Sequence, residues 1–212
     1  MEIIEYGNKK SQLILVQMID EHDLSLMDRE VDLIRAHSER DFRLIAFKVD
    51  DWMKDLSPWC APPVFGKEAF GSGGISTLQK VLEYIEGKGE RYIIGGYSLS
   101  ALFALYSAFE CSRFSSVASA SPSIWFPSFI DYMRSHECKA ESVYLSLGDK
   151  EEKTKNSALR NVGKCIREAR DILLEKKVNT VLEFNEGNHF MESEKRTAKA
   201  FITVMQQHCN TV

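Results

Sequence analysis

The sequence predicts an α/β fold in which helices cover both faces of a mostly parallel central sheet. Short segments rich in β-branched and apolar residues alternate with longer amphipathic segments, an order typical of parallel sheets covered by helices. Leu13 to Ile19 is a nearly continuous apolar run, as found in strands that are buried on both faces. Because no internal repeat, low-complexity tract or long linker interrupts the 212 residues, we expect residues 1–212 to form a single domain.

The same patterns predict the elements in order. Apolar or alternating runs predict strands at residues 2–6, 13–19, 42–49, 91–94, 116–119, 142–147 and 180–184. Helical spacing predicts helices near 25–37, 78–85, 98–109 and 157–176, a short helical patch after 127, and a C-terminal helix. Residues 50–74 contain three of the five prolines. They predict a long irregular loop, which is usually functional or mobile.

Composition and charge argue against several classes of partner. The formal net charge is -4, and lysines and arginines are interspersed with acidic residues, so no nucleic acid is expected. The acidic start lacks the features of a secretory signal and predicts a cytoplasmic protein. Residues 92–109 carry no charge, but their glycines, serines and midway change of period indicate a buried strand and helix. No membrane partner is therefore expected.

The cysteines do not indicate a metal site. The five cysteines contain no CxxC pair, which fits neither a zinc site nor a disulfide framework. We therefore predict free thiols that are mostly buried, with no metal and no cofactor.

A candidate nucleophile lies where the fourth predicted strand meets a helix. Gly96 and Ser100 each lie two residues from Ser98, and small residues at these positions allow the sharp turn that exposes a nucleophilic serine. Ser100 replaces the second glycine of the usual motif. The alternative is a tight turn with a buried serine, but the strand before it and the helix after it favour catalysis.

Residues 94–106, read as IGGYSLSALFALY, resemble the nucleophile region of the putative esterase family that includes esterase D and the enterochelin esterases. Residues 121–125, SPSIW, resemble that family's segment after the next strand. The likeness extends from about Leu13 to the C-terminal helix. It implies an α/β-hydrolase fold, trimmed at the N-terminal strands, that acts on carboxylic esters.

His189 follows the last predicted strand, where this fold places its general base in the chain order Ser, acid, His. Histidine suits this role because its unperturbed pKa lies near neutral pH; a surface loop histidine is the alternative. Glu151 follows the penultimate strand with the G-x-x-acid spacing of the fold, so it is the favoured acid. Asp149 and Glu152 remain alternative acids, as does a Ser-His dyad without an acid.

The remaining site residues follow from the fold. Acyl transfer requires two N–H donors for the oxyanion. We expect Leu99 to supply the first and residues 18–23, with Ile19 as the favoured carrier, to supply the second. Trp125 either walls a substrate pocket or packs in the core. For Trp52 and Trp59, core packing is favoured.

The sequence thus predicts a serine hydrolase that cleaves a small-molecule carboxylic ester through an acyl-enzyme on Ser98, with His189 as general base. A thioesterase or acyltransferase would use the same residues. A non-catalytic binding protein of the same fold is the alternative from another class. Neither the acyl and alcohol groups nor the oligomeric state follow from the sequence.

Overall fold

The computed structural model describes residues 1–64, 66–89, 91–154 and 156–207. In these residues the chain forms a central sheet of seven strands. In chain order the strands are β1 (Glu2–Gly7), β2 (Leu13–Ile19), β3 (Arg43–Lys48), β4 (Arg91–Tyr97), β5 (Ser116–Ala120), β6 (Ser142–Gly148) and β7 (Asn179–Asn185). Across the sheet they lie in the order β1-β3-β2-β4-β5-β6-β7. Strand β1 runs antiparallel to β3, and the other neighbours are parallel.

Helices cover both faces of this sheet. They are α1 (Glu21–Leu24), α2 (Met27–His37), α3 (Trp52–Asp55), α4 (Gly74–Ile85), α5 (Ser98–Glu110), α6 (Phe129–Ser135), α7 (Ser157–Arg160), α8 (Val162–Glu175) and α9 (Ser193–Gln207). Helices α2 and α9 pack on one face, and α4, α5, α6 and α8 pack on the other. The predicted α/β architecture is confirmed.

Strand β2 shows how the sequence produces two cores. Leu13 and Leu15 point into the core beneath α2 and α9, whereas Ile14 and Val16 point into the core beneath α4 and α5. Successive side chains of a strand alternate between faces, so a strand buried on both faces must be apolar throughout. Each such side chain contributes about 1.5–3 kcal/mol of burial free energy.

The predicted strands recur with bounds shifted by at most three residues, but three predicted helices differ. Helix α4 begins at Gly74, four residues before its predicted start. The helix expected over 157–176 is broken into α7 and α8 at Asn161. Asn161 and Gly163 are poor helix formers, which accounts for the break. The helix expected from residue 25 begins at Met27, after the separate α1, whose first turn is capped by the Asp20 side chain.

The segment over 50–74 is more ordered than predicted. It contains α3 and an isolated bridge between Ala61 and Phe70. The backbone N–H of Gly71 donates to the Met53 carbonyl. The segment therefore folds back on itself beside the carboxyl ends of the strands.

The thiols also depart from expectation. Cys111, Cys138 and Cys165 are free and half-buried, and Cys60 is free and exposed, so the prediction of mostly buried thiols was wrong. Cys209 lies outside the described residues. Over the described ranges, no three His, Cys, Asp or Glu side chains come together as metal ligands would. No helix in the described part of the chain has the length and apolar character needed to cross a membrane.

Candidate active site

The turn from β4 into α5 presents Ser98 in a strained conformation. Ser98 has a φ of 56°, which costs about 1–3 kcal/mol for a residue other than glycine. A Cβ atom at Gly96 would overlap the Ser100 hydroxyl, so only glycine fits there. Ser100 is fully buried, and its Oγ donates to the Met18 carbonyl at 2.8 Å. This bond ties the turn to the end of β2 and explains how serine is accommodated in place of the second glycine.

His189 lies in the loop after β7 and contacts Ser98 directly. Its Nε2 is 2.9 Å from Ser98 Oγ, and its side chain keeps about a third of its surface exposed. The Tyr97 hydroxyl donates to the His189 carbonyl at 2.9 Å. Tyr97, the residue before Ser98, therefore holds the backbone of His189 in place.

Glu151 completes the chain of hydrogen bonds. Its Oε2 is 2.8 Å from His189 Nδ1. Its Oε1 accepts from the Gly148 N–H at 2.7 Å and from the Ser121 hydroxyl at 2.8 Å. The structure thus brings together Ser98, His189 and Glu151, which are separated by up to 91 positions in the chain.

The electrostatics of Glu151 favour its charged form. Burial opposes ionisation, but hydrogen bonds from His189, Ser121 and the Gly148 N–H, together with the charge of His189, outweigh burial and lower the pKa of Glu151 below its usual value. An ionised acid beside Nδ1 accepts a hydrogen bond from the N–H of that nitrogen, which keeps the imidazole proton on Nδ1. The lone pair of Nε2 is then directed at Ser98.

The two alternative acids point elsewhere. Asp149 Oδ1 accepts from the Gly187 N–H at 2.8 Å, so it joins the loop after β6 to the loop that carries the histidine. Glu152 pairs with Arg167 at 3.1 Å. Neither carboxylate occupies the position beside Nδ1.

The expected oxyanion donors lie in the first turn of α5 and at the end of β2. Leu99 is in the first turn of α5, where backbone N–H groups have no partner within the helix. Ile19 is the last residue of β2, and its carbonyl accepts from the Val49 N–H. The assignment of Ile19 as the second donor stays a prediction.

Three tryptophans lie near this end of the sheet. Trp125 is partly buried, and its ring packs against Phe70 with centroids 6.0 Å apart. Trp59 donates its indole N–H to the Pro127 carbonyl at 3.0 Å, and Trp52 packs against the core. Packing holds all three, and a role for Trp125 in a substrate pocket stays a prediction.

Sequence reasoning missed four residues of the site. Ser123 Oγ is 3.3 Å from Ser98 Oγ, and Ser121 contacts Glu151. Tyr97 and Arg196 also hydrogen-bond within this cluster. The SPS segment after β5 contained a signal for the two serines, since it follows a strand at the correct edge. Nothing distinguished Arg196 from the other basic residues of the chain.

A concavity of about 500 Å³ lies at the opposite edge of the sheet. Gly7, Arg40 and Phe42 line it, next to the residue where β3 begins. It therefore belongs to the amino ends of the parallel strands and is separate from the Ser98 cluster.

Comparison with solved structures identifies the fold as that of the α/β-hydrolases. A siderophore hydrolase, EstA, from Aspergillus nidulans matches with a TM-score of 0.72 and 19% identity over 94% of this chain and 84% of its own. An IroE-like serine hydrolase from Shewanella oneidensis matches with a TM-score of 0.74 and 11% identity over 96% of this chain and 75% of its own.

The enterobactin esterase FES from Shigella flexneri matches with a TM-score of 0.69 and 12% identity, covering 97% of this chain but 55% of its own. No protein-family model matches the chain, and no curated protein does. At these identities the likeness establishes the fold, which confirms the predicted α/β-hydrolase architecture.

Proposed function

We propose that this protein is a serine hydrolase of carboxylic esters. The observation that carries the proposal is the continuous chain of hydrogen bonds from Ser98 Oγ through His189 to Glu151, at 2.9 Å and 2.8 Å. This geometry matches what a hydroxyl nucleophile requires, namely a neighbouring base that is itself oriented by an acid.

The reaction follows from the positions of the atoms. Ser98 Oγ attacks the ester carbonyl carbon while His189 Nε2 takes its proton, and Glu151 stabilises the imidazolium that forms. The Leu99 N–H and a second donor near the end of β2 bind the oxyanion. His189 then protonates the leaving alcohol. A water molecule, activated by the same imidazole, attacks the acyl-enzyme and releases the carboxylic acid and Ser98.

The strained turn favours catalysis over simple binding. A φ of 56° at Ser98 costs stability, and such strain persists where the exposed side chain has a use. The same residues would also hydrolyse a thioester, or transfer the acyl group to an acceptor other than water. The similar solved structures include esterases named for siderophores and enterobactin, so these bulky esters belong in a substrate panel beside simple aryl and alkyl esters.

We expect a fluorophosphonate probe to modify Ser98 and no other serine. Nε2 at 2.9 Å activates Ser98, whereas Ser100 is buried and its hydroxyl donates to a carbonyl. Peptide mass spectrometry of the labelled protein locates the adduct. An adduct on Ser100, or none on any residue, contradicts the proposal.

Hydrolysis should fall on the acid side of neutrality. The base must be neutral to accept the Ser98 proton. We therefore expect kcat/KM to decline as the pH falls from 8 to 5. Because the pKa of Glu151 is lowered, the acid stays ionised across this range and adds no second limb. A flat profile from pH 5 to 8 argues against a histidine base.

A further inference from the structure

Arg196 is a buried charge that the proposed mechanism does not yet use. Only 4% of its surface is exposed. Its Nη1 lies 3.0 Å from Glu151 Oε1, 3.1 Å from the Tyr97 hydroxyl and 3.3 Å from Ser121 Oγ, and its Nη2 donates to the Glu186 carbonyl at 2.9 Å. Burying a guanidinium group is unfavourable unless it is paired and hydrogen-bonded, and among the described residues the carboxylate that pairs with Arg196 is that of Glu151.

The position of Arg196 in its helix is also unfavourable by itself. It is the fourth residue of α9, and the amino end of a helix carries a partial positive charge that disfavours cations. Helix stability therefore does not account for an arginine in the first turn of α9, whereas the ion pair with Glu151 does.

Arg196 and His189 contact different oxygens of Glu151. Oε2 faces His189 Nδ1 at 2.8 Å, and Oε1 faces Arg196 Nη1 at 3.0 Å. A glutamate side chain has three rotatable bonds, so a contact at one oxygen alone leaves the carboxylate plane free to rotate. Arg196 holds Oε1 together with the Gly148 N–H and the Ser121 hydroxyl, and these contacts fix that plane with Oε2 toward the imidazole.

The charge of Arg196 acts on the base as well. The Arg196–Glu151 pair has no net charge, whereas Glu151 without Arg196 would present a full negative charge to His189. An uncompensated carboxylate favours the imidazolium. A neutralised pair leaves the imidazole neutral at lower pH while still holding its Nδ1–H.

We infer that Arg196 is a positioning residue that orients the carboxylate of Glu151 and, by offsetting its charge, keeps His189 available as a base at mildly acidic pH. This inference rests on the proposed function, because it gives Glu151 and His189 the roles assigned above.

Other titratable groups surround this cluster. Burial raises the pKa of Tyr97, at the end of β4, to about 12, so its hydroxyl is neutral. Asp149 contacts the backbone of the histidine loop. At the start of α9, Glu194 pairs with Arg29, and Glu192 pairs with Lys195. Among these residues, only Arg196 places a positive charge on Glu151.

The test compares Arg196→Met, which removes the charge at similar length, with Arg196→Lys, which keeps it. Arg29→Met is the matched control. Arg29 lies in α2 and pairs with Glu194, which is in α9 like Arg196, so this variant removes a nearby positive charge that does not contact Glu151. Two measurements are made on each variant: the pH profile of kcat and KM, and the NMR titration of the His189 ring protons in a Ser98→Ala background. The second needs no turnover, so it tests the inference even if the chain hydrolyses no ester and the proposed function fails.

In Arg196→Met we expect the acid limb and the ring titration to move to higher pH by about 0.5–1.5 units. At pH 8 we expect kcat to fall roughly 10- to 100-fold, with KM within about threefold of wild type. Arg196→Lys should keep both midpoints within about 0.3 units of wild type, and Arg29→Met should match wild type in both.

A loss of kcat in Arg196→Met without displacement of either midpoint overturns the inference, because a purely structural role predicts that result. Movement to lower pH overturns it too. If Arg196→Met does not fold, Arg196→Gln decides, since it keeps hydrogen-bond donors but removes the charge. Midpoints displaced to higher pH then support the inference, and unmoved midpoints overturn it.

Discussion

Replacement of Ser98 by alanine is expected to lower kcat for ester hydrolysis by about 10⁴-fold or more, and His189→Ala should cause a loss of similar size. The first change removes the attacking oxygen, and the second removes the base that lies 2.9 Å from it. Because the members of such a site act as a unit, the double variant should be little worse than either single variant. Steady-state kinetics on the best ester of the panel measure all three.

Ser107→Ala provides the control for Ser98→Ala. Ser107 lies in the same helix α5, is fully buried, and donates to the Phe103 carbonyl at 2.8 Å, so its loss affects packing but not the reacting atoms. We expect its kcat to stay within about threefold of wild type. Equal activity of Ser98→Ala and wild type would rule out Ser98 as nucleophile, and no turnover by wild type on any ester of the panel would favour the non-catalytic binding protein.

Replacement of Glu151 by glutamine is expected to lower kcat by roughly 10²- to 10⁴-fold. An amide N–H₂ placed beside His189 Nδ1 is a donor where the wild type has an acceptor, so the imidazole moves its proton to Nε2. That nitrogen then faces Ser98 Oγ without a lone pair and cannot take the proton. The loss should appear in kcat at constant KM, because the Glu151 side chain is buried behind His189.

The neighbouring carboxylates serve as matched controls. Asp149→Asn keeps an oxygen that can accept from the Gly187 N–H. Glu152→Gln weakens an exposed pair with Arg167 that is worth about 0–1 kcal/mol. Both variants should retain kcat within about tenfold of wild type. If Glu151→Gln also stays within that range, a Ser-His dyad describes the site and the role of the acid is wrong.

The order of elements could be predicted because burial imposes local patterns. A strand buried on both faces, such as β2, must be apolar at every position, and an amphipathic helix repeats its apolar residues every three or four positions. Helix boundaries were less predictable. The break at Asn161 and the late start of α2 depend on weak propensities and on capping, and packing routinely overrides such propensities.

The candidate nucleophile, base and acid were also accessible from the sequence. Each follows a predicted strand, and the carboxyl ends of parallel strands meet at one edge of the sheet. Small residues at Gly96 and Ser100 indicated the turn at Ser98, and the three-residue spacing after the glycine that ends β6 favoured Glu151 over its neighbours. These signals are local, so one sequence is enough to read them.

What surrounds Glu151 required the tertiary structure. Sequence spacing left Asp149, Glu151 and Glu152 open. Their side chains diverge only because the loop after β6 folds against the loop after β7, which directs one carboxylate to His189 Nδ1 and another to the Gly187 N–H. Arg196 reaches Glu151 because α9 packs across the sheet with its first turn over this edge. Such contacts join residues from distant parts of the chain, and their energies depend on burial and distance, which no local pattern encodes.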